Sequence, residues 1–121
     1  MVARKSGNIV NIASIKGLSS VQGKPAYAAS KAAVIRMTSS MAEEFAAHGI
    51  RINAVAPGFT ETEMTASTMS PNIQAQIDSI PLKRMARPEE IAEMVAFLAS
   101  TKADYITGQT FPVDGGYTVR G

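Results

Sequence analysis

"YAASKAAVIRMTSSMAEEFAAHGIRINAVAPG", residues 27–58, joins a long alanine-rich stretch to a glycine and then to a short apolar run ending at Pro57-Gly58. Tyr27 to His48 reads as one helix, with Gly49 as a left-handed cap and His48 in the last turn, where positive charge is favoured. "IRINAVAPG" (50–58) reads as a buried strand, being short, rich in β-branched residues and bounded by turn formers. Inside the helical pattern, Tyr27 and Lys31 stand four residues apart and so project from one face. A phenol and an ammonium held in that way form either a solvated surface pair or a proton-transfer device.

Working outward, "NIVNIAS" (8–14) is a second short β-branched run and predicts a buried strand. "IKGLSSVQGKPA" (15–26) carries Gly17, Gly23 and Pro25 and predicts a loop. On the other side, residues 59–70 are polar and predict a mobile loop with a short helix. "SPNIQAQIDSI" (70–80) predicts a helix with Ser70 as N-cap and Pro71 at the first helical position. "RPEEIAEMVAFLAS" (87–100) repeats that grammar, with Pro88 opening the helix and Glu89 and Glu90 in its first turn. "ITGQTFPVDGG" (106–116) supplies a turn, a third strand and a diglycine end. Strand, helix, strand, helix, strand is the order of a parallel α/β sheet with right-handed crossovers. The expected fold is Rossmann-like: about three parallel strands, with helices on both faces.

Composition narrows the function classes. The chain has 121 residues, 45% hydrophobic and 18% charged, an ordinary balance for one globular domain. Cys is absent, so there is no disulfide framework, thiolate chemistry or cysteine-based metal site. A formal charge of +2 comes from scattered Lys and Arg, not from a basic block, and favours neither nucleic acid nor a membrane as partner. "MVARKSG" lacks the apolar core of a signal peptide, and a cytoplasmic setting is expected.

Ser14 lies at the carboxyl end of the first expected strand, where open α/β sheets place their ligands. The loop that follows could fold its hydroxyl back towards Tyr27, making Ser14, Tyr27 and Lys31 a triad around one ligand. A free tyrosine, with a pKa of about 10, is a poor acid–base group at neutral pH. A neighbouring ammonium favours the phenolate, and a serine hydroxyl can donate to a carbonyl oxygen gaining negative charge. Such a set suits proton transfer at an alcohol oxygen while a hydride moves at the adjacent carbon.

These segments, from "GNIVNIAS" through "YAASK" and "NAVAPGFTETEM" to "VDGG", closely resemble the C-terminal half of the short-chain dehydrogenase/reductases. The chain is closest in character to the 3-oxoacyl-carrier-protein reductase and the sugar or polyol dehydrogenase branches. The resemblance implies an oxidoreductase interconverting a secondary alcohol and a ketone with NAD or NADP. It makes Tyr27 the general acid/base, Lys31 the ligand of the nicotinamide ribose and Ser14 the group that polarises the substrate carbonyl. Pro57, Gly58, Phe59, Thr60 and Thr62 would flank the nicotinamide, with Thr60 competing with Thr62 for the contact. It also implies a small-molecule substrate and a homo-oligomer, dimer or tetramer.

One departure stands out. Family members begin with a strand and a glycine-rich turn that holds the cofactor pyrophosphate, and this chain has no such turn near its start. Its adjacent glycines, Gly115 and Gly116, lie at the opposite end. The whole chain is therefore expected to be one half of a Rossmann-like domain, with the cofactor-binding half absent. A second function class follows: a non-catalytic fragment that self-associates or complements a missing half. His48 reads as a solvated helix end, a lone His without Cys makes a metal site improbable, and Lys16 and Lys24 read as solvated.

Overall fold

The computed structural model describes residues 1–63 and 70–120. Among them are three parallel strands, β1 (Gly7–Ile12), β2 (Ile50–Pro57) and β3 (Thr110–Val113), in the spatial order β1-β2-β3. Three helices connect them: α1 (Pro25–Phe45), α2 (Pro71–Ser79) and α3 (Pro88–Ala99). The register runs from Gly7 opposite Ile50 to Ile12 opposite Val55, and from Ala54 opposite Thr110 to Pro57 opposite Val113. No helix among the described residues is long and apolar enough to cross a membrane.

The alternation of a strand decides which helix covers which face. On one face Ile50 and Ile52 pack with Ala42, Met41 and Phe45, and Ala54 and Ala56 pack with Val34 and Ile35, all from α1. On the other face Val55 meets Leu98, Met94 and Val95 of α3. Helices thus lie on both sides of the sheet, as the strand-helix order predicts. β2 is the central strand, and Ile52, Ala54, Val55 and Ala56 are completely buried.

Local signals set most element ends. α1 starts at Pro25, two residues before the expected Tyr27, because proline suits the first helical position. It ends at Phe45, and a 3₁₀ turn over Ala46–His48 leads to Gly49 at φ 70°, the left-handed cap expected there. Ser70 caps α2 by accepting the Ile73 N–H, with Pro71 next. β1 stops at Ile12, short of Ser14, because the Ser14 side chain accepts the Lys16 N–H and turns the chain into a 3₁₀ turn over Ile15–Gly17. Pro112 sits in β3, an edge strand, where a missing N–H is tolerated. The mobile loop with a short helix expected over residues 59–70 includes residues 64–69, which lie outside the described residues.

Among the described residues every buried polar side-chain atom is partnered. Asn11 donates to Thr38 Oγ1 at 2.9 Å, and Thr38 donates to the Val34 carbonyl at 2.8 Å, tying β1 to α1. Arg51 reaches the carbonyls of Leu98, Ser100 and Ile106, so its guanidinium satisfies the C-terminal end of α3. Asn53, 1% exposed, donates to the Ile106 carbonyl and accepts the Gln109 N–H, fastening β2 to the approach of β3.

The outer edge of β1 is open among the described residues. Ala13 donates to the Val55 carbonyl, and in a parallel strand alternate residues aim their backbone groups to opposite sides. Asn8, Val10 and Ile12 therefore direct theirs away from β2, and Ile12 is 49% exposed.

Asn53→Leu keeps the branched shape in a larger side chain and removes the Asn53 partner of the Ile106 carbonyl and of the Gln109 N–H. It is expected to lower unfolding stability by about 2–4 kcal/mol, read from the urea midpoint. A loss below about 0.5 kcal/mol, within the range of ordinary surface substitutions, would show that these bonds carry little net weight.

Candidate functional site

The site is built at the carboxyl ends of β1 and β2. Ser14 follows β1 and is nearly buried, with its Oγ 3.1 Å from the Lys16 N–H. The next residues pack hard on α1. A Cβ on Gly17 would lie 2.6 Å from the Lys31 carbonyl carbon and 2.8 Å from the Ala32 nitrogen, so only glycine lets the serine loop approach the helix there.

Tyr27 occupies the first turn of α1, half-exposed, and Lys31 lies one turn on. The Lys31 Nζ sits 5.8 Å from the Tyr27 ring centroid and donates to the Ile12 carbonyl at 3.2 Å. That carbonyl is on the open edge of β1, two residues before Ser14. The structure therefore places Tyr27 beside Lys31 and ties the lysine to the strand tip that leads into Ser14. Among the described residues no hydrogen bond joins Ser14 to Tyr27, and the serine hydroxyl is engaged by its own loop.

The turn after β2 forms the second wall. Gly58 donates to the Val113 carbonyl at 2.9 Å, and a Cβ there would meet Asp114 Cα at 2.7 Å, so this turn presses directly on the end of β3. Pro57 closes β2. Thr60 Oγ1 donates to the Gly58 carbonyl at 3.1 Å, which rigidifies the turn but engages the hydroxyl's proton locally. Ala86 bridges the same backbone, donating to the Phe59 carbonyl and accepting the Glu61 N–H, each at 2.9 Å. Thr62 follows on this segment. Phe59 meets Tyr117 edge-on, ring centroids 5.2 Å apart.

Phe59 lines two cavities. One, of about 230 Å³, has Ile15, Lys16, Ser19, Gln22, Gln76 and Tyr117 in its wall. The other, of about 130 Å³, is bounded by Arg84, Glu90, Val113 and Asp114. Ser14, Tyr27 and Lys31 border neither of them. The triad reaches the larger cavity only through Ile15 and Lys16, which follow Ser14 directly.

Three groups near the site carried no functional reading in the sequence. Arg84 makes a two-pronged ion pair with Glu90, both N···O distances 2.7 Å, and Glu90 also accepts the Arg87 N–H. The Arg84 guanidinium and the Arg87 backbone hold the Glu90 carboxyl down to about 2. Burial pushes the Asp114 carboxyl up, but hydrogen bonds from Thr118 and the Gly116 N–H hold it below the usual range. Lys16 stands over the Phe59 ring, 5.9 Å from its centroid. "RPEE" announced a helix start but not Arg84 as its anchor, and no local pattern announces Lys16 against Phe59.

The Glu90 pair carries a testable sign. A carboxyl depressed on folding adds stability above its unfolded pKa, and that contribution is lost as pH falls towards its folded value. In a ¹³C NMR titration the Glu90 carboxyl is expected to titrate near 2. In Arg84→Met it should move up towards the ordinary glutamate value, about 4.3. A midpoint unmoved by the substitution would contradict the pairing.

A family model described as enoyl-(acyl carrier protein) reductase matches residues 1–118. The 3-oxoacyl-(acyl-carrier-protein) reductase FabG of Thermotoga maritima is 44% identical over 119 residues, 98% of this chain and 48% of that protein. Its counterpart in Chlamydia pneumoniae is 47% identical over the same shares. Among solved structures, a gluconate 5-dehydrogenase from Burkholderia cenocepacia, in complex with NADP and tartrate, superposes with a TM-score of 0.91 at 34% identity, covering 99% of this chain and 48% of that one. The chain spans about half the length of the curated relatives it matches. With a family model covering nearly all of its residues and a backbone that superposes on solved relatives, the chain belongs to the short-chain dehydrogenase/reductase family.

Proposed function

We propose that this chain carries the catalytic half of an NAD(P)-dependent oxidoreductase that interconverts a secondary alcohol and a ketone. The observation that carries the reading is the placement of the Lys31 ammonium between the Tyr27 ring and the Ile12 carbonyl, at the strand tip that leads into Ser14. In the reducing direction Tyr27 Oη gives its proton to the carbonyl oxygen. Ser14 Oγ, which accepts the Lys16 N–H and retains its own O–H, is the donor for that oxygen. Lys31 keeps a positive charge on the same face, which favours the anionic phenol oxygen left behind. In the oxidising direction Tyr27 takes the alcohol proton.

The residues present fit one end of the cofactor. Pro57, Gly58, Phe59, Thr60 and Thr62 form a stiff turn beside β3, and Lys31 has donors left for a ribose hydroxyl after its bond to Ile12. Bound there, the nicotinamide would supply or accept the hydride. The pyrophosphate end finds no match here, because Gly115 and Gly116 pack against Ile80 and Pro81 and are committed to the end of β3. NADP is bound in the Burkholderia relative, which supports a nicotinamide cofactor without choosing between NAD and NADP for this chain. FabG and gluconate dehydrogenase relatives support a small hydroxy- or oxo-substrate. Exposed Ile12 and Met37 support a homo-oligomer, dimer or tetramer, and a sequence without cysteine is compatible with a cytoplasmic setting.

A second reading rests on the open edge of β1 and on the half-length match. In it the chain is non-catalytic by itself and self-associates or pairs with a complementary N-terminal half. One experiment separates the two. The purified chain is titrated with NADPH, following nicotinamide fluorescence, alone and fused behind the N-terminal half of the Thermotoga relative. The fused form is expected to bind saturably and to reduce a ketone. Tyr27→Phe in that form should lose at least about a hundredfold in turnover with cofactor affinity nearly unchanged. Turnover surviving within about tenfold would remove Tyr27 from the acid–base role.

A further inference from the structure

The cavity of about 230 Å³ beside the site has a single cation among neutral polar groups. Lys16 lies in its wall with its ammonium over Phe59, and the other polar lining groups named above are uncharged: Ser19, Gln22, Gln76 and the Tyr117 hydroxyl. A neighbouring cavity of about 390 Å³ shares Ser19, Ser20 and Tyr117 and adds Arg120, whose guanidinium stacks 3.8 Å from the Tyr117 centroid. Phe59 and Tyr117 are in edge-on contact. The result is a row, Lys16–Phe59–Tyr117–Arg120, with an aromatic pair in the middle and a cation at each end.

Neither cation has an ion-pair partner among the described residues. Among the described residues the ion pairs are Arg51 with Asp104 and Arg84 and Arg87 with Glu90. Asp114, the acid nearest in sequence to Tyr117, turns its carboxylate to Gly116 and Thr118. Asp78 accepts from Gln74. Arg120 spends one nitrogen on the Ser79 carbonyl, which fixes the stack and leaves the remaining N–H groups available. The Lys16 backbone is pinned by Ser14, so the ammonium is carried on a defined turn. A cation at a concave, partly apolar wall, with several neutral donors and no acid beside it, suits an anion better than a neutral ligand.

We infer that this cavity takes the anionic end of a small ligand, a carboxylate or phosphate, with Lys16 as the residue that reads its charge. The inference rests on the oxidoreductase reading only in making that ligand the substrate, since Lys16 follows Ser14 by two residues. It replaces the sequence expectation that Lys16 is merely solvated.

The test is an NMR titration of the isotope-labelled chain at constant ionic strength, using D-gluconate, inorganic phosphate and the neutral polyol sorbitol. At least one anion is expected to shift the amides of Lys16, Ser19 and Gln22 saturably, with sorbitol at least about tenfold weaker. Lys16→Met should weaken the anion by about fivefold or more, Lys16→Arg should restore it, and Lys24→Met should leave it unchanged. Saturation by gluconate alone assigns the carboxylate, and by phosphate alone the phosphate. Equal binding of sorbitol, no saturation by either anion, or an unmoved affinity in Lys16→Met overturns the inference. No cofactor is present in this titration, so its failure is distinct from failure of NADPH binding, which bears on the oxidoreductase reading alone.

Discussion

Strand β2 must be apolar on both faces, because α1 covers one and α3 the other. With Ile52, Ala54, Val55 and Ala56 wholly removed from water, it has no face left on which to carry chemistry. The proposed site therefore lies at its end, where Pro57 stops the strand and Gly58 presses against β3. β1 is held to the same plane by its register with β2, which brings Ile12 and Ser14 level with that turn. The two polar residues that β2 does tolerate, Arg51 and Asn53, are spent on carbonyls of the α3–β3 connection and brace the opposite part of the sheet.

The same constraint explains why small residues recur around the site. Gly17 lets the serine loop touch α1 at Lys31, and Gly58 lets the second turn touch Asp114. Both are close approaches of backbone, and each fixes a wall by contact with a regular element. The loop of Ser14 is thus registered against the helix that carries Tyr27 and Lys31, although serine and tyrosine have no direct bond. Such a set is ordered by its scaffold, and a ligand is left to supply the last hydrogen bond.

Charge is distributed unevenly about this scaffold. Arg84 and Glu90 neutralise each other and cap α3, so that pair belongs to the frame. Through Ala86, the segment they hold also grips the backbone of Phe59 and Glu61. Lys31, Lys16 and Arg120 have no such acidic partner among the described residues, and all three rest on aromatic rings. A ring face attracts a cation without cancelling its charge. These positions can hold ordered positive charge for something that arrives.

Much of this was legible in the sequence. Four-residue spacing put Tyr27 above Lys31, Gly49 marked the left-handed cap, and Ser70-Pro71 and Pro88 opened helices, because each is a rule about neighbours along the chain. Apolar runs gave three strands, and their order with the helices gave a parallel sheet covered on both faces. What periodicity does not encode is which distant groups meet. Lys16 against Phe59, Phe59 against Tyr117 and Arg51 on the carbonyls at and beyond the end of α3 were decided by tertiary structure. Side-chain polar groups choose partners only after the sheet register has fixed which backbone groups remain free, and that register is a property of the packed chain, not of any local stretch.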